Sequence, residues 1–508
     1  MSSALLAPLV AASDRLGATS SRNEKVAIIA EALRGAGEDV RLAATYLAGD
    51  PPQDRLEVGW ATIRDLDVAP ATTPTLSLVD VDAALEALAT AGGTGSRGVR
   101  VGVLTDLYAA ATVAEQSFLN HLVLGEMRQG ALAGLVVKGI AAAAQVPETV
   151  VRRAVMLAAD LGEVASLAMT GGRAALEAVG LVLGRGVQPM LAATSPSVAA
   201  AVEDMGTAVV EWKLDGARIQ VHKDGSDVVV YTRNLNDVTA RSPDTVAVAQ
   251  ALEVERVILD GEVLAVGADD RPVAFQDTMS TFSNIAGGGS GLTPFFFDVL
   301  HVDGEDLLDA PLTERRARLA ELVDERNRIP SAVVSDPEEG EGVLADALEH
   351  GHEGVVVKAL DAPYAAGRRG KAWRKVKPVR TLDLVVLAVE WGSGRRRGWL
   401  SNIHLGAVDD RPGHEGFVML GKTFKGMTDE VLAWQTERFL SLETHRDGHV
   451  VHVRPEQVVE IALDGIQTSR RYPGGIALRF ARVVRYRDDK DPDQADALST
   501  VRALGSGG

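Results

Sequence analysis

Up to about Gly186 the apolar positions recur at helical spacing. Val26, Ile29, Ala30 and Leu33 lie three and four residues apart, and Gly35 stops the run. Alanine and leucine dominate Ala131 to Ala144 and Val150 to Leu161, and strand-like alternation is scarce. Both stretches predict helices. Gly184 to Pro196 reads as a linker, because Pro189 and Pro196 flank Met190-Leu191-Ala192 and discourage helix continuation. From about Val198 to Pro378 strands alternate with a helix over Thr313 to Asn327, striped by Leu319, Leu322 and Val323. Gly287 to Gly291 reads as a flexible connector, since it lacks the lysine and Ser/Thr of a phosphate-binding loop. Beyond Pro378, Leu384 to Val389, Gly416 to Leu420, Val458 to Leu463 and Ile476 to Tyr486 read as strands of a compact barrel. Leu504 to Gly508 reads as a frayed tail.

A chain of 508 residues exceeds one ordinary core. The pattern divides it into an all-helical region 1–186, an α+β region 187–378 and a β-barrel region 379–508 with its tail. A hydrophobic content of 46% suits a soluble globular protein. No apolar run reaches the roughly 18 residues of a membrane helix. The N-terminus has no basic stretch ahead of its apolar residues, which argues against a signal peptide. There is no cysteine, hence no disulfide framework and no thiolate zinc site, as in a cytoplasmic protein. The net charge of −18 argues at first against a nucleic-acid partner. Salt screens charges beyond about 8 to 10 Å, however, so local basic patches matter more. Arg368-Arg369-Gly370-Lys371, Arg395-Arg396-Arg397 and Arg470-Arg471 are such patches, and each reads equally as a solvated face.

One octet is more specific: Glu211-Trp212-Lys213-Leu214-Asp215-Gly216-Ala217-Arg218. Val209 and Val210 lead into it as a strand. Ile219, Val221 and Val228 to Val230 follow, with Asp224-Gly225 as a hairpin turn. Lys213 therefore sits where two strands meet. Alone, the octet reads equally as a surface hairpin with scattered charges. Further stretches follow in order: Thr232-Arg233-Asn234, Leu259-Asp260-Gly261-Glu262, Phe296-Phe297-Asp298, Glu353-Gly354-Val355-Val356-Val357-Lys358 and Trp373-Arg374-Lys375-Val376-Lys377. The set, in that order, resembles the motifs of ATP-dependent DNA ligases of the three-domain bacterial and archaeal kind, including the actinobacterial ligase B. Arg479 to Lys490 resembles the family's last motif, with Ala481 where proline is usual. Gly125 to Gly130 and Asp160 to Ala165 resemble, less closely, its N-terminal DNA-binding domain.

The resemblance implies nick sealing in three steps: a lysine takes AMP from ATP, AMP passes to the 5′-phosphate, and the 3′-hydroxyl displaces it. Lys213 is the implied nucleophile. A free lysine has a pKa of about 10.4, so it needs cations nearby to lose its proton. Lys375, Lys377 and a metal are the candidates. By the same resemblance Glu211 reads adenine, Arg218 and Arg233 hold ribose and phosphate, and Phe297 stacks on the base. Glu262 bonds ribose or metal, Glu353 is the metal carboxylate, and Arg369, Lys375 and Lys377 clamp the α-phosphate. Arg482, Arg487 and Lys490 orient the leaving pyrophosphate. The implied cofactors are ATP and Mg²⁺, whose preference for hard oxygen ligands suits phosphates.

The implied partner is nicked duplex DNA, encircled by a monomer in the cytoplasm at the nucleoid, with no membrane association. Arg128, Arg152 and Arg153 in the helical region and Arg395, Arg396 and Arg397 in the oligonucleotide-binding (OB) barrel are the candidate DNA contacts. An RNA ligase or capping enzyme is a rival that the helical first region disfavours. A non-catalytic nucleic-acid-binding protein should have lost Lys213, Glu262, Glu353 or Lys375, and all are present. A helical partner-binding scaffold stays open on the basic patches alone.

Overall fold

The computed structural model describes residues 3–53, 56–127, 133–267, 271–273, 278, 282, 291–365 and 369–504. Arg128, Arg368, Gly287 to Ser290 and Gly505 to Gly508 lie outside them, and Arg369 is described only as backbone.

The first region is helical from Leu6–Ala18 to Leu161–Glu177. Side chains close several of the helix starts. Thr112 and Glu115 form a reciprocal capping box, as do Ser77 and Asp80. The stripe expected around Ile29 forms the helix Arg22–Gly35, and Ile28, Ile29, Ala30 and Leu33 enter one large apolar core. The expected helix Val150 to Leu161 ends earlier. Glu148–Ala158 stops where Ala159 turns left-handed, and Asp160 accepts from the Glu163 N–H at 2.8 Å to start Leu161–Glu177. The acid within an apolar run was the missed signal.

Among the described residues the middle region contains two five-stranded sheets. Its strands are β1 (Leu191–Thr194), β2 (Ala208–Trp212), β3 (Ala217–Asp224), β4 (Asp227–Thr232), β5 (Arg256–Ala265), β6 (Leu292–Val302), β7 (Glu305–Asp306), β8 (Ser331–Val334), β9 (Val355–Ala359) and β10 (Arg369–Val376). One sheet runs β1-β10-β9-β2-β8 and the other β4-β3-β5-β6-β7. Residues 213–216 therefore cross from one sheet to the other. The expected helix Thr313 to Asn327 is shorter, Leu312–Leu322, with a separate 3₁₀ turn at Glu325–Asn327. The run stops where Val323 turns extended, and Asn327 anchors the 3₁₀ turn by donating to the Pro294 carbonyl at 2.9 Å. Arg315, fully buried, bonds both Asp298 oxygens at 2.7 and 3.1 Å and the Ala310 and Ala362 carbonyls. It ties β6 to the segment that leads into β10.

The last region holds β11 (Arg380–Trp391), β12 (Leu400–Val408), β13 (Phe417–Thr423), β14 (Glu443–Asp447), β15 (Val450–Val453), β16 (Val458–Leu463), β17 (Gly465–Thr468), β18 (Ile476–Arg479) and β19 (Arg482–Arg487). The path is β13-β12-β11-β15-β14, with β16 on β11 and β19 on β16. Among the described residues no pairing joins its ends, so the expected closed barrel is not seen; the long β11 changes partner along its length instead. The expected strand Ile476 to Tyr486 is broken at Phe480, whose φ is 52°, and its halves pair with β17 and β16.

Candidate active site

A cavity of about 620 Å³ opens between the two middle sheets, under an edge of the last region. Lys213 enters it from the crossing after β2. Its backbone N–H donates to the Gly354 carbonyl at 2.7 Å, and the Glu353 N–H donates to the Lys213 carbonyl at 3.2 Å. Two glycines make the approach possible. A Cβ on Gly216 would stand 2.2 Å from the Val263 carbonyl oxygen. Gly354 has a φ of 145°, and a Cβ there would stand 2.2 Å from the Val376 carbonyl oxygen.

The Lys213 ammonium pairs with the Glu353 carboxylate. Lys377 reaches the same carboxylate at 2.7 and 2.8 Å. Burial alone would raise the pKa of Glu353, but Lys213 and Lys377 outweigh it and hold the group below the usual carboxylate range. Glu262, across the cavity on β5, differs. Burial pushes its pKa up to about 7 despite Lys213 and Arg218 nearby, with Asp260 and Asp215 adding to the rise. Two carboxylates facing one cavity thus have their pKa values pushed in opposite directions.

The floor is aromatic and cationic. Phe297 meets Trp373 edge to face at 5.9 Å, and the buried Lys358 ammonium lies 4.5 and 4.2 Å from their ring centres. Lys358 pairs with buried Glu211 at 2.5 Å, and Arg316 reaches Glu211 at 3.2 Å. Arg218 is bidentate to Asp260 at 3.1 and 2.6 Å, and also donates to the Met190 carbonyl at 2.6 Å. Tyr364 donates to Asp260 at 2.6 Å and accepts from the Met190 N–H at 3.0 Å. Arg233 and Lys375 also line the cavity.

The last region closes the mouth. Arg479 donates to Asp215 at 2.8 Å, and Asp464 lies 3.7 Å from Lys377 and 3.9 Å from Arg482. Lys425, Phe480 and Arg482 complete the lining.

Family models match this chain in three places: the N terminus of DNA ligases over residues 61–141, the ATP-dependent DNA ligase domain over 189–377, and the C-terminal region of those ligases over 396–490. A probable DNA ligase of Nocardioides sp. (strain ATCC BAA-499 / JS614) is 56% identical over 508 residues, covering 98% of this chain and 99% of that one. A probable DNA ligase of Mycobacterium sp. (strain KMS) is 53% identical over 518 residues, covering 98% and 99%. The chain belongs to the ATP-dependent DNA ligases. The solved structure named Pmar-Lig_Pre. shares its fold, with a TM-score of 0.63 at 19% identity, over 94% of this ligase and 99% of that chain.

The ligase brings together at one cavity Lys213, Glu211, Arg218, Arg233, Glu262, Phe297, Glu353, Lys375, Lys377 and Arg482. Arg487 and Lys490 are placed elsewhere. Arg487 holds Asp383 at 3.1 Å and Asp489 at 2.7 Å, and Lys490 holds Asp383 at 2.6 Å. Of the expected DNA contacts, Arg152 pairs with Glu148, and Arg153 pairs with Asp309 of the middle region at 2.6 Å. Arg395, in a 3₁₀ turn, and Arg397, just after it, are exposed, while Arg396 donates to the Phe424 carbonyl at 2.5 Å. Sequence reasoning left Asp215, Asp260, Lys358, Tyr364, Trp373 and Arg479 without a role. A lysine ending the apolar strand Val355-Val356-Val357 was a usable signal for Lys358. Tyr364 had none, because its partner Asp260 is 104 residues away.

Proposed function

We propose that Lys213 is the residue of this DNA ligase that carries AMP. Its Nζ attacks the α-phosphorus of ATP, a nitrogen–phosphorus bond forms, and the bond to the bridging oxygen breaks as pyrophosphate leaves. AMP then passes to the 5′-phosphate of a nick, and the 3′-hydroxyl displaces it. The observation that carries this reading is the convergence of Lys213 and Lys377 on Glu353 at the mouth of an aromatic-floored cavity. Phe297 offers a stacking face for adenine. Lys358, locked between Glu211 and the rings, stiffens that face. Arg218 is anchored to Asp260, so it presents a fixed cation beside the ribose site rather than a free arm. Arg233, Arg369, Lys375 and Lys377 are the proposed phosphate clamp.

Mg²⁺ fits this site as a partner of the nucleotide. Among the described residues no three His, Asp or Glu side chains form a metal-holding group. Glu262 and Glu353 can each supply a carboxylate, with phosphates and water completing the shell, as hard small cations prefer. The ion would supply charge for the developing pyrophosphate.

For Arg487 and Lys490 the proposed role at pyrophosphate requires the last region to turn its β19 end toward the cavity and release Asp383. That region is proposed to act as an OB fold. The proposed domains are 1–186, 187–378 and 379–508, acting as a monomer that surrounds nicked DNA in the cytoplasm, at the nucleoid. With Arg152 and Arg153 held by acids, Arg395 and Arg397 are the better-placed phosphate contacts. The test is incubation with α-labelled ATP and Mg²⁺ followed by nicked duplex: label should enter protein, move to DNA and leave as AMP. Label that never leaves the protein on a DNA nick but does on an RNA nick would contradict the reading.

A further inference from the structure

Lys213 and Glu353 each follow an aromatic residue, Trp212 and His352, and those two rings touch. Their centroids lie 4.9 Å apart with planes inclined by 41°. His350 lies against the same indole, at 4.8 Å and 33°. The histidines leave the end of the helix Pro337–Glu349 in a fixed direction. Gly351 has a φ of 83°; its N–H donates to the Leu348 carbonyl at 3.1 Å, and that of His352 donates to Ala347 at 2.9 Å. This pair of bonds with a left-handed glycine is a Schellman termination.

Trp212 is the last residue of β2 and pairs with Val355, the first of β9. Beyond that pair the regular ladder ends, since β2 gives way to the crossing toward the second sheet. Two backbone bonds between Lys213 and the Glu353-Gly354 turn continue it. Two separately anchored elements, a strand end and a helix end, therefore meet in one aromatic cluster immediately before the two charged groups. Trp212 lines the cavity, whereas neither histidine is among the lining residues described. The histidines touch the indole from behind the site.

We propose that His350 and His352, packed at a tilt against Trp212, are positioning residues that hold the Glu353 turn against the Lys213 turn. The proposal rests on Lys213 being the nucleophile. A rigid cluster suits the task because the reacting nitrogen must be held within a fraction of an ångström, and a misplacement of about 1 Å can cost on the order of a hundredfold in rate. Aromatic contacts restrict tilt and slide in a way that two backbone bonds do not.

The test is single-turnover self-adenylylation of the full chain with α-labelled ATP and Mg²⁺, in which the amplitude reports folded protein and the rate constant reports geometry. His352→Ala should slow the rate constant by roughly ten- to a hundredfold. Its amplitude and its half-saturating ATP concentration should stay unchanged. His352→Phe, which keeps a ring but no titratable group, should restore most of the rate. His350→Ala, at a half-exposed position that tolerates change, should slow the reaction in the same way but less. Wild-type rate constants in His352→Ala, a loss of amplitude alone, or a His352→Phe protein as slow as His352→Ala would each overturn the proposal. Lys213→Ala run alongside separates the two readings. If it stays unlabelled while His352→Ala is unimpaired, the cluster alone falls; if it takes label, the nucleophile assignment falls with it.

Discussion

Glu353 answers two lysines with one carboxylate, and that sharing makes it the most exposed point of the site chemically. Glu353→Gln would leave Lys213 and Lys377 facing each other with no countercharge between them. Self-labelling should fall by roughly a hundredfold or more, because repulsion would move the Lys213 ammonium by about an ångström. Single-turnover labelling checks this, and a loss under threefold would contradict it. Lys358 makes a different prediction. It and Glu211 are both almost fully buried, so Lys358→Met leaves a carboxylate short of its nearest cation. The cost should be about 3 kcal/mol, near the low end for breaking a buried pair, because Arg316 still reaches Glu211. Urea denaturation of Lys358→Met and of Lys358→Met/Glu211→Gln should show the second more stable than the first. At this scale the sequence was readable where the cavity residues lie in contiguous stretches, as at Lys213, Glu353 and Lys377. It was silent where one residue answers another far along the chain. Arg479 meets Asp215 across 264 residues, and no local pattern announces that.

Elements set these residues in place, and their ends decide the geometry. Gly354→Ala should be among the most damaging substitutions for its size. Its φ of 145° disfavours any side chain, and the Val376 carbonyl stands in the way at 2.2 Å. Both the labelling rate and the melting temperature should drop, and a protein unchanged in both would contradict the geometry. The link between the helical region and the second sheet carries a pH signature. His222 accepts from the Gly184 N–H at 3.2 Å and is buried. Burial, and then His301, pull its pKa down to about 4, against an unfolded value of about 6.5. Above pH 6.5 both states are neutral there and its contribution is whole. As pH falls from about 6.5 toward 4 the unfolded chain takes up a proton that the folded one refuses, and stability is lost. His352, also drawn to about 4 by burial and by His350, acts in the same sense. His222→Asn should therefore remove part, not all, of the fall in melting temperature over that range. Element types were legible from hydrophobic period, as in Arg22–Gly35, but several ends were not. Asp160, Val323 and Phe480 end or split elements through a cap, an extended backbone and a left-handed backbone, none of which alters the apolar period.

At the scale of the molecule the three regions meet around the cavity. Met156 and Leu157 of the helical region share an apolar cluster with Phe297, Tyr364 and Trp373. Leu157→Ala should cost about 2 to 5 kcal/mol and also raise the ATP concentration needed for half-maximal labelling, since the floor of the cavity would lose its backing. An unchanged ATP requirement would show that the helical region only abuts the site. The Arg479–Asp215 bond holds the last region over the mouth, so Arg479→Ala should speed proteolytic cleavage between Lys377 and Arg380. None of this closure could be read from the −18 net charge or from the order of motifs. The central claim is that Lys213 carries AMP, and peptide mass spectrometry after incubation with ATP and Mg²⁺ tests it most directly. One AMP is expected on the peptide containing Lys213 and none in the Lys213→Ala protein; an adduct on Lys358, Lys375, Lys377 or any other lysine would contradict the assignment.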